Sequence, residues 1–366
     1  MSMDFNDMRV PVTLLTGFLG AGKTTLLNAV LADASAGKIA VIVNEFGEAG
    51  LDHDLIETTS EEIVLMQSGC LCCSVRGDLA RTMSSLIGRR DRGELDFERV
   101  VIETTGLADP GPILQTLQVD YVLTRTTRMD GVVTVADAKN GPTTLDAQFE
   151  AVSQAAMADL IVLSKTDLVS PEDLRSFEAR LRAINPSAPI VTAIRGKGAS
   201  ARLFGLSGLR RGVAPSDAVA WTSVAAPAPD PLANLSGLGG AKSEPAPVSP
   251  HDARIGSASI TLDHPIPDVV FDRWLDTLVS LRGEDILRVK GIVFLEGMNA
   301  PFVFHGVQQV FDPPVPVLNW TGGDRRSRIV VIARDMSRPE LQRSLDMLRA
   351  HIPQTDAEPV DGAGPP

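Results

Sequence analysis

The amino-terminal half of the chain carries short, continuous apolar runs separated by longer segments with helical periodicity. The runs are rich in Val and Ile and do not alternate with polar residues, which is typical of strands buried on both faces of a parallel sheet. We predict strands at Val10–Thr16, Lys38–Asn44, Arg99–Glu103, Gly131–Ala136, Leu160–Ser164 and Pro189–Thr192. Helices are predicted between them at Thr24–Asp33, Asp78–Gly88, Ala147–Met157 and Pro171–Ile184. This alternation predicts a doubly wound α/β domain with a mostly parallel sheet.

The pattern changes after the last of these strands. Residues 211 to 250 contain seven prolines and nine alanines but few large apolar side chains. Such a composition is typical of a linker and not of packed structure. Trp221 is the one bulky side chain of this stretch, and we expect it to dock locally.

Apolar patterning resumes near Arg254. Strands are predicted at Ser257–Leu262, Ile286–Leu295, Phe302–Val310 and Arg328–Arg334, with helices at Pro267–Ser280 and Pro339–Ala350. This order predicts a smaller α+β domain. We therefore predict four segments: an α/β domain at residues 8–205, a linker at 206–253, the α+β domain at 254–352, and a disordered tail at 353–366.

Charge and cysteine content narrow the class of protein. The 366 residues include 34 Lys and Arg against 46 Asp and Glu, a net charge of −12, which disfavours a nucleic-acid partner. The apolar runs are too short to span a membrane, and the amino terminus lacks the pattern of a signal peptide. All three cysteines lie between residues 70 and 73, which excludes a disulfide framework and favours the reducing cytoplasm.

A phosphate-binding loop joins the first predicted strand to the first predicted helix. Residues 17 to 24 match the pattern G-x-x-x-x-G-K-[ST]. Glycines let successive backbone N–H groups point at phosphate oxygens, and the helix amino terminus adds partial positive charge. We expect Lys23 to reach the β- and γ-phosphates and the Thr24 hydroxyl to ligate Mg²⁺. The candidate nucleotide-binding residues of this loop are Gly17, Gly20, Ala21, Gly22, Lys23 and Thr24.

Two further strand ends carry nucleotide chemistry. Glu103 follows a predicted strand and is a candidate to hold Mg²⁺, and Gly106 can donate its N–H to the γ-phosphate. Asp167 can accept hydrogen bonds from two donors of guanine that adenine does not offer together, with the stem of Lys165 over the base. The alternative for this second motif is helix capping, by Asp167 or Ser170.

The cysteine cluster is a candidate metal site. Cys70, Cys72 and Cys73 offer thiolates to Zn²⁺, Cu⁺ or a related ion. Structural zinc requires four ligands and the cluster supplies at most three, which favours an incomplete, exchangeable site. Buried apolar cysteines or a redox pair are the alternatives.

An acidic loop, residues 44 to 52, follows the second predicted strand. It can act as a switch that is ordered with the triphosphate and released after hydrolysis. Glu45 or Glu48 is a candidate to complete the metal site, and Asp52 joins Lys23, Thr24 and Glu103 as a candidate catalytic residue. A solvated acidic turn is the alternative.

Together these motifs resemble the CobW-like branch of the CobW/HypB/UreG metallochaperone GTPases. The resemblance is carried by residues 16–25, 44–48, 69–73, 103–110 and 164–167, and by Leu287–Gly291 and Gly306–Gln308 beyond the linker. It implies a GTPase of low intrinsic rate that binds Zn²⁺ or Co²⁺ at the cysteines and delivers it to a client protein. It also implies phosphate and Mg²⁺ contacts from Gly20, Gly22, Lys23, Thr24 and Thr25.

The resemblance leaves partners and alternatives open. We expect GTP and GDP and a client metalloprotein as partners, with a second copy of the chain as a further candidate, but no nucleic acid or membrane. Ser164 stands where the family's guanine motif often has Asn, and the linker lacks the histidine-rich stretch of many relatives. The second hypothesis is a GTP-gated scaffold or metal sensor that activates a metalloenzyme without delivering the ion.

Overall fold

The computed structural model describes residues 7–46, 63–68, 74–208, 212–222, 249–318, 320 and 323–350. Of residues 44–46, 63–68 and 74–78 it describes the backbone alone. The predicted tail, residues 353–366, lies outside the described residues.

The amino-terminal domain is built on a sheet of seven parallel strands in the order β3-β2-β4-β1-β5-β6-β7. The strands are β1 Val10–Thr16, β2 Ile39–Phe46, β3 Ile63–Ser68, β4 Arg99–Thr104, β5 Thr127–Asp137, β6 Leu160–Ser164 and β7 Ile190–Ala193. Strand β1 lies inside the sheet, between β4 and β5, and later strands are added on both sides of it. A crevice therefore opens beyond the carboxyl end of β1, where α/β sheets bind ligands.

Helices cover both faces of this sheet, as the continuous apolar strands predict. They are α1 Lys23–Leu31, α2 Ser74–Asp91, α3 Gly111–Val119, α4 Leu123–Thr126, α5 Gly141–Ala147, α6 Phe149–Met157 and α7 Pro171–Ile184. Val12 and Leu14 of β1 pack with α2 and α3, whereas Leu15 packs with α1 on the opposite face. The doubly wound α/β prediction is confirmed.

Part of the predicted linker is packed structure, which corrects the prediction from its composition. Residues Pro215–Thr222 form helix α8, and Trp221 is 8% exposed in the interior. The expectation that Trp221 docks locally is confirmed, since its Nε1 donates to the buried Asp159 carboxylate at 3.1 Å. Among the described strands and α-helices up to α8, the sequence does not predict β3, α3, α4, α5 and α8, and the domain bounds remain predictions.

The carboxy-terminal domain is an antiparallel sheet with helices on one face. Its path is β11-β10-β9-β13-β8, and β12 pairs with β10. The elements are β8 Ile255–Leu262, α9 Asp268–Arg282, β9 Ile286–Val293, β10 Phe302–Val307, β11 Val310–Phe311, β12 Val315–Pro316, β13 Ser327–Arg334 and α10 Arg338–Asp346. Strand, helix, three principal strands and helix follow in the predicted order.

The other face of this second sheet packs on the amino-terminal domain. Leu287, Val330 and Ile332 belong to the same apolar cluster as side chains of α6 and α7. Beside this cluster, two cationic side chains of β9, Arg288 and Lys290, are 2% and 1% exposed. The two domains therefore share a continuous core that contains buried charge.

Among the described residues, no helix is both long and apolar enough to cross a membrane.

Candidate nucleotide site

The phosphate loop leaves β1 at the crevice and enters α1. Gly17, Gly20 and Gly22 have φ angles of 140°, 72° and 97°, in the region that favours glycine. At Gly17 a Cβ atom would lie 2.3 Å from the carbonyl oxygen of Val135 on the neighbouring strand. Gly22 is the N-cap of α1, so the loop delivers the helix amino terminus directly to the crevice.

Lys23 is held at the centre of this loop. Its Nζ donates to the Gly17 carbonyl oxygen at 2.9 Å and to that of Phe18 at 3.4 Å. The side chain is 8% exposed, so the ammonium lies inside the curl of the backbone. Ala21 is buried and Thr25 exposed beside it.

The hydroxyl of Thr24 and the carboxylate of Glu103 meet in the crevice. Thr24 Oγ1 donates to Glu103 Oε1 at 2.8 Å, and Glu103 is 5% exposed. Glu103 lies near the end of β4, beside β1, so the sheet brings together two residues that are 79 positions apart. Hydroxyl and carboxylate oxygens are the hard donors that Mg²⁺ prefers, so this pair fits the ion.

The segment after Glu103 lies against the phosphate loop. A Cβ on Gly106 would lie 2.4 Å from the Leu19 nitrogen and 2.6 Å from its Cα, so a side chain at this position is excluded by backbone. Thr104 Oγ1 also donates to Thr16 Oγ1 at 2.8 Å. The close contact means that the two loops cannot move independently.

Residues 164–167 approach the phosphate loop from β6. Lys165 Nζ donates to the Gly20 carbonyl oxygen at 2.8 Å and to Asp137 Oδ2 at 2.7 Å. Ser164, which replaces the family's Asn, donates through Oγ to the Ala21 carbonyl oxygen at 2.6 Å. Asp167 is exposed in a short 3-10 helix, and Ser170 caps α7. Of the two residues proposed as helix caps, it is therefore Ser170 that caps α7.

Asp137 is a site residue that sequence reasoning missed. Burial by itself would raise the pKa of its carboxyl, but hydrogen bonds from Lys165 and Asn140 outweigh burial and hold that pKa below the ordinary value. The ionised carboxylate thus fixes the Lys165 ammonium over the loop. The available signal was its position at the end of a buried strand, the same signal that identified Glu103.

The candidate metal ligands fall largely outside the described residues. These are Cys70, Cys72, Cys73 and Glu48, together with the candidate catalytic Asp52. For Glu45 the backbone lies in β2, opposite Gln67 of β3. Within the part of the chain that the structure describes, no group of three or more His, Cys, Asp or Glu side chains is placed to hold a metal ion.

The fold and this site define a P-loop nucleotide-binding protein with an added antiparallel domain. The CobW/HypB/UreG nucleotide-binding domain model matches residues 11–192, and that of the cobalamin synthesis protein cobW C-terminal domain matches residues 255–349. The chain belongs to the CobW/HypB/UreG family, and it is a GTPase that uses GTP with Mg²⁺.

The chain is similar to known proteins over almost its whole length. The zinc chaperone YjiA of Escherichia coli (strain K12) is 32% identical over 344 residues, which cover 93% of this chain and 99% of the relative. The zinc chaperone CobW of Pseudomonas aeruginosa is 31% identical over 373 residues, covering 92% and 91%. The crystal structure of Zn(II)-bound YjiA GTPase from E. coli superposes with a TM-score of 0.68 at 30% identity, over 93% of this chain and 99% of that one.

Proposed function

We propose that this GTPase binds Zn²⁺, with Co²⁺ as the other candidate ion, at Cys70, Cys72 and Cys73 and delivers it to a client protein. In this proposal the affinity for the ion depends on the bound nucleotide. Two relatives that match nearly the whole chain are zinc chaperones, which supports the choice of ion and the chaperone role.

The observation that carries the proposal is the pairing of β2 with β3. Phe46, the last residue of β2, pairs with Ser68, the last residue of β3, so both strands end side by side. In the sequence, the rest of the acidic loop follows the first strand, and Cys70 comes two residues after the end of the second. In this proposal the cysteine motif therefore belongs to the sheet edge that carries the nucleotide site.

The same sheet edge supplies a short path between metal and nucleotide. Only β2 and β4 separate β3 from β1. At about 4.8 Å per strand, the end of β3 is roughly 14 Å from the strand that enters the phosphate loop. Glu103 lies within this interval, on β4. In this proposal, a change in the acidic loop with the γ-phosphate alters the affinity of the cysteine motif for the ion.

We assign the nucleotide contacts from the geometry of the crevice. Lys23 binds the β- and γ-phosphates, Thr24 and Glu103 hold Mg²⁺, and Lys165 and Asp167 select guanine. The ion, when bound, neutralises charge that develops on the phosphate oxygens. The residues of the loop hold the triphosphate in line and fix its γ-phosphate near Gly106.

The test is the affinity for Zn²⁺ and for Co²⁺ in the presence of Mg²⁺ with a non-hydrolysable GTP analogue or with GDP. We expect at least about tenfold tighter binding with the analogue, since coupling between two ligand sites is typically 5- to 150-fold. The Lys23→Ala variant, which keeps all three cysteines, is the control and should lose the difference. Equal affinities in both nucleotide states would leave the scaffold or sensor hypothesis.

The Cys72→Ala variant tests the metal site itself. The affinity must be measured together with the stoichiometry, because a YjiA triple mutant with one glutamate and two cysteines replaced by alanine is still described as Zn(II)-bound. We expect one tight site to be lost while GTP binding is unchanged. A variant that retains every tight site would refute the assignment of Cys72.

A further inference from the structure

Helix α6 touches the nucleotide site through one buried side chain. Gln154 is 1% exposed, and its Nε2 donates to the carbonyl oxygens of Gly106 at 3.2 Å and Ala108 at 3.0 Å. Both acceptors belong to the segment that follows Glu103 and lies on the phosphate loop. Gln154 Oε1 has no hydrogen-bond partner within the described ranges. Among these residues, the side chain is therefore held by its two donated hydrogen bonds.

The carboxyl end of α6, one turn beyond Gln154, touches the carboxy-terminal sheet. Arg288 of β9 donates from Nη1 to the carbonyl oxygen of Met157, the last residue of α6, and from Nη2 to the carboxylate of Asp159. Both members of this ion pair are buried. Asp159 also accepts from the Val132 N–H at 3.0 Å and from Trp221 of α8, so the junction is anchored on three sides.

Apolar packing makes α6 a stiff link between these two contacts. Val152, Ala155 and Ala156 of α6 are buried in one cluster with Leu287, Val330 and Ile332 of the second sheet. Gln154 and Met157 are three residues apart, about 4.5 Å along the helix axis, and the helix keeps its internal hydrogen bonds when it shifts as a body. A displacement of the second sheet is therefore carried to Gln154 and from there to the Gly106–Ala108 backbone.

We propose that Gln154 is a positioning residue for GTP hydrolysis and that α6 is the link through which the carboxy-terminal sheet sets the position of the Gly106 loop. A displacement of that sheet then alters hydrolysis without contact with the nucleotide. The proposal rests on the proposed nucleotide site, in which the Gly106 loop faces the γ-phosphate.

The first test is Gln154→Met, which keeps the length and volume of the side chain and removes its two donors. We expect kcat for GTP hydrolysis to fall about tenfold or more, because small misplacements of a catalytic loop have large kinetic effects. GDP affinity should stay within about twofold, since GDP lacks the γ-phosphate that the loop faces. A merely structural role would instead weaken both nucleotides together.

Thr134→Val is the matched control. Thr134 Oγ1 donates to the backbone carbonyl oxygen of Gln154 at 2.8 Å, so the variant removes a buried hydrogen bond from the same residue without contacting the loop. We expect its kcat to be close to that of the wild-type chain. If Gln154→Met and Thr134→Val have the same kcat, the positioning role is refuted.

The second test breaks the link where α6 contacts the carboxy-terminal sheet. The double variant Asp159→Asn/Arg288→Met removes both charges of the buried ion pair. Arg180→Met is its control, since it removes an ion pair between α7 and Asp252 that does not involve α6. We expect kcat to fall several-fold in the double variant and not in Arg180→Met, and the combination of the double variant with Gln154→Met to have the kcat of Gln154→Met alone, as for residues that act through one element. An unchanged kcat in a folded double variant would overturn the link.

Two additional variants separate this proposal from the nucleotide site on which it rests. Lys23→Ala should abolish GTP binding, and Glu103→Gln should abolish most hydrolysis. If both retain wild-type activity, the nucleotide site is wrongly assigned. If both variants lose activity as expected but Gln154→Met keeps its kcat, the role of α6 is refuted and the assignment of the nucleotide site is supported.

Discussion

A single contact, between the Thr24 hydroxyl and the Glu103 carboxylate, brings together the two motifs expected to hold Mg²⁺. The carboxylate is buried at the end of β4, where water cannot readily replace a lost ligand. Its negative charge therefore interacts strongly with a cation held beside it. This makes the charge of Glu103, more than its shape, the property to test.

We expect Glu103→Gln to lower kcat for GTP hydrolysis by about 10²-fold and to weaken Mg²⁺-dependent nucleotide binding, because the amide keeps the acceptor for Thr24 but loses the charge that attracts the ion. Steady-state hydrolysis and Mg²⁺ titration of nucleotide binding measure both effects. Glu98→Gln, an exposed carboxylate just before the opposite end of the same strand, is the control and should change neither. Full activity of the Glu103 variant would exclude its role at the ion.

A second residue of interest is the buried Lys290. Burial and the positive charge of Arg288 lower the pKa of its ammonium to about 7, although Asp159 acts in the opposite direction. The Trp221 ring lies 5.4 Å from Nζ, and His305 is opposite Lys290 on β10. Asp159 itself remains ionised: burial would raise the pKa of its carboxyl, but Arg288 and Lys290 lower it to about 2.

These values predict how stability depends on pH. Between pH 7 and the ordinary lysine pKa, the unfolded chain binds a proton at Lys290 that the folded chain does not, so the free energy of unfolding rises as pH increases through this range. We expect a rise of about 1–3 kcal/mol from Lys290 between pH 7 and pH 9. Urea unfolding at several pH values measures this rise.

The Lys290→Met variant should lose most of that rise, because it has no group to titrate. The exposed Lys38→Met variant, far from the interface, should retain it. If the Lys290 and Lys38 variants show equal slopes between pH 7 and pH 9, the lowered pKa of Lys290 is excluded.

At the scale of elements, the loop after β4 and the phosphate loop form one unit. Gly106 is placed so close to the backbone of Leu19 that any side chain must separate the two loops. Gln154 holds the same segment from the opposite side. The position of the loop is thus fixed by two elements, β1 with its following loop and α6.

We expect Gly106→Ala to lower kcat at least about tenfold, because its Cβ would displace a loop that must be aligned with the γ-phosphate. GDP affinity should change much less than affinity for a GTP analogue. Gly323→Ala is the control, since no atom lies within 4 Å of a Cβ at that exposed glycine. Equal loss of both nucleotides would indicate that the phosphate loop itself had collapsed.

The whole molecule is held together by an apolar interface that contains a buried ion pair. Arg288 and Asp159 join the two domains, and Gln118 of α3 adds a second contact by donating to Asp312 at 2.6 Å. Removing one partner of a buried ion pair is costly, because the remaining charge is left away from water without its closest opposite charge. The interface therefore favours unfolding of both domains in one transition.

We expect Arg288→Met to lower the free energy of unfolding by about 3–5 kcal/mol, because it leaves the buried Asp159 without its principal partner. Arg254→Met breaks an ion pair with Asp335 that is about half exposed, and such pairs contribute at most about 1 kcal/mol. Chemical denaturation of both variants gives the comparison. Similar losses in the two variants would mean that the buried ion pair contributes no more to the free energy of unfolding than the exposed one.

Much of this architecture was predictable from local pattern. The β1 and β6 strands begin and end at the predicted residues, and the phosphate loop lies between the predicted strand and helix. By contrast, α8 was concealed by its Ala- and Pro-rich surroundings. Its stability depends on contacts of Trp221 with Asp159 and with β9, which no local pattern encodes. The Ile63–Met66 run of β3 was an available signal that had not been used.

The sequence by itself determined the class of this protein, because phosphate binding and strand burial depend on neighbouring residues: the glycines of the loop, Lys23, Thr24 and the Val- and Ile-rich runs. Only the tertiary structure decided which distant residues meet. Glu103 reaches Thr24 because parallel pairing aligns strand ends, and Gln154 and Arg288 connect through the last turn of α6, which contacts both domains. Such pairings depend on strand order and packing, which are properties of the folded chain and not of any segment within it.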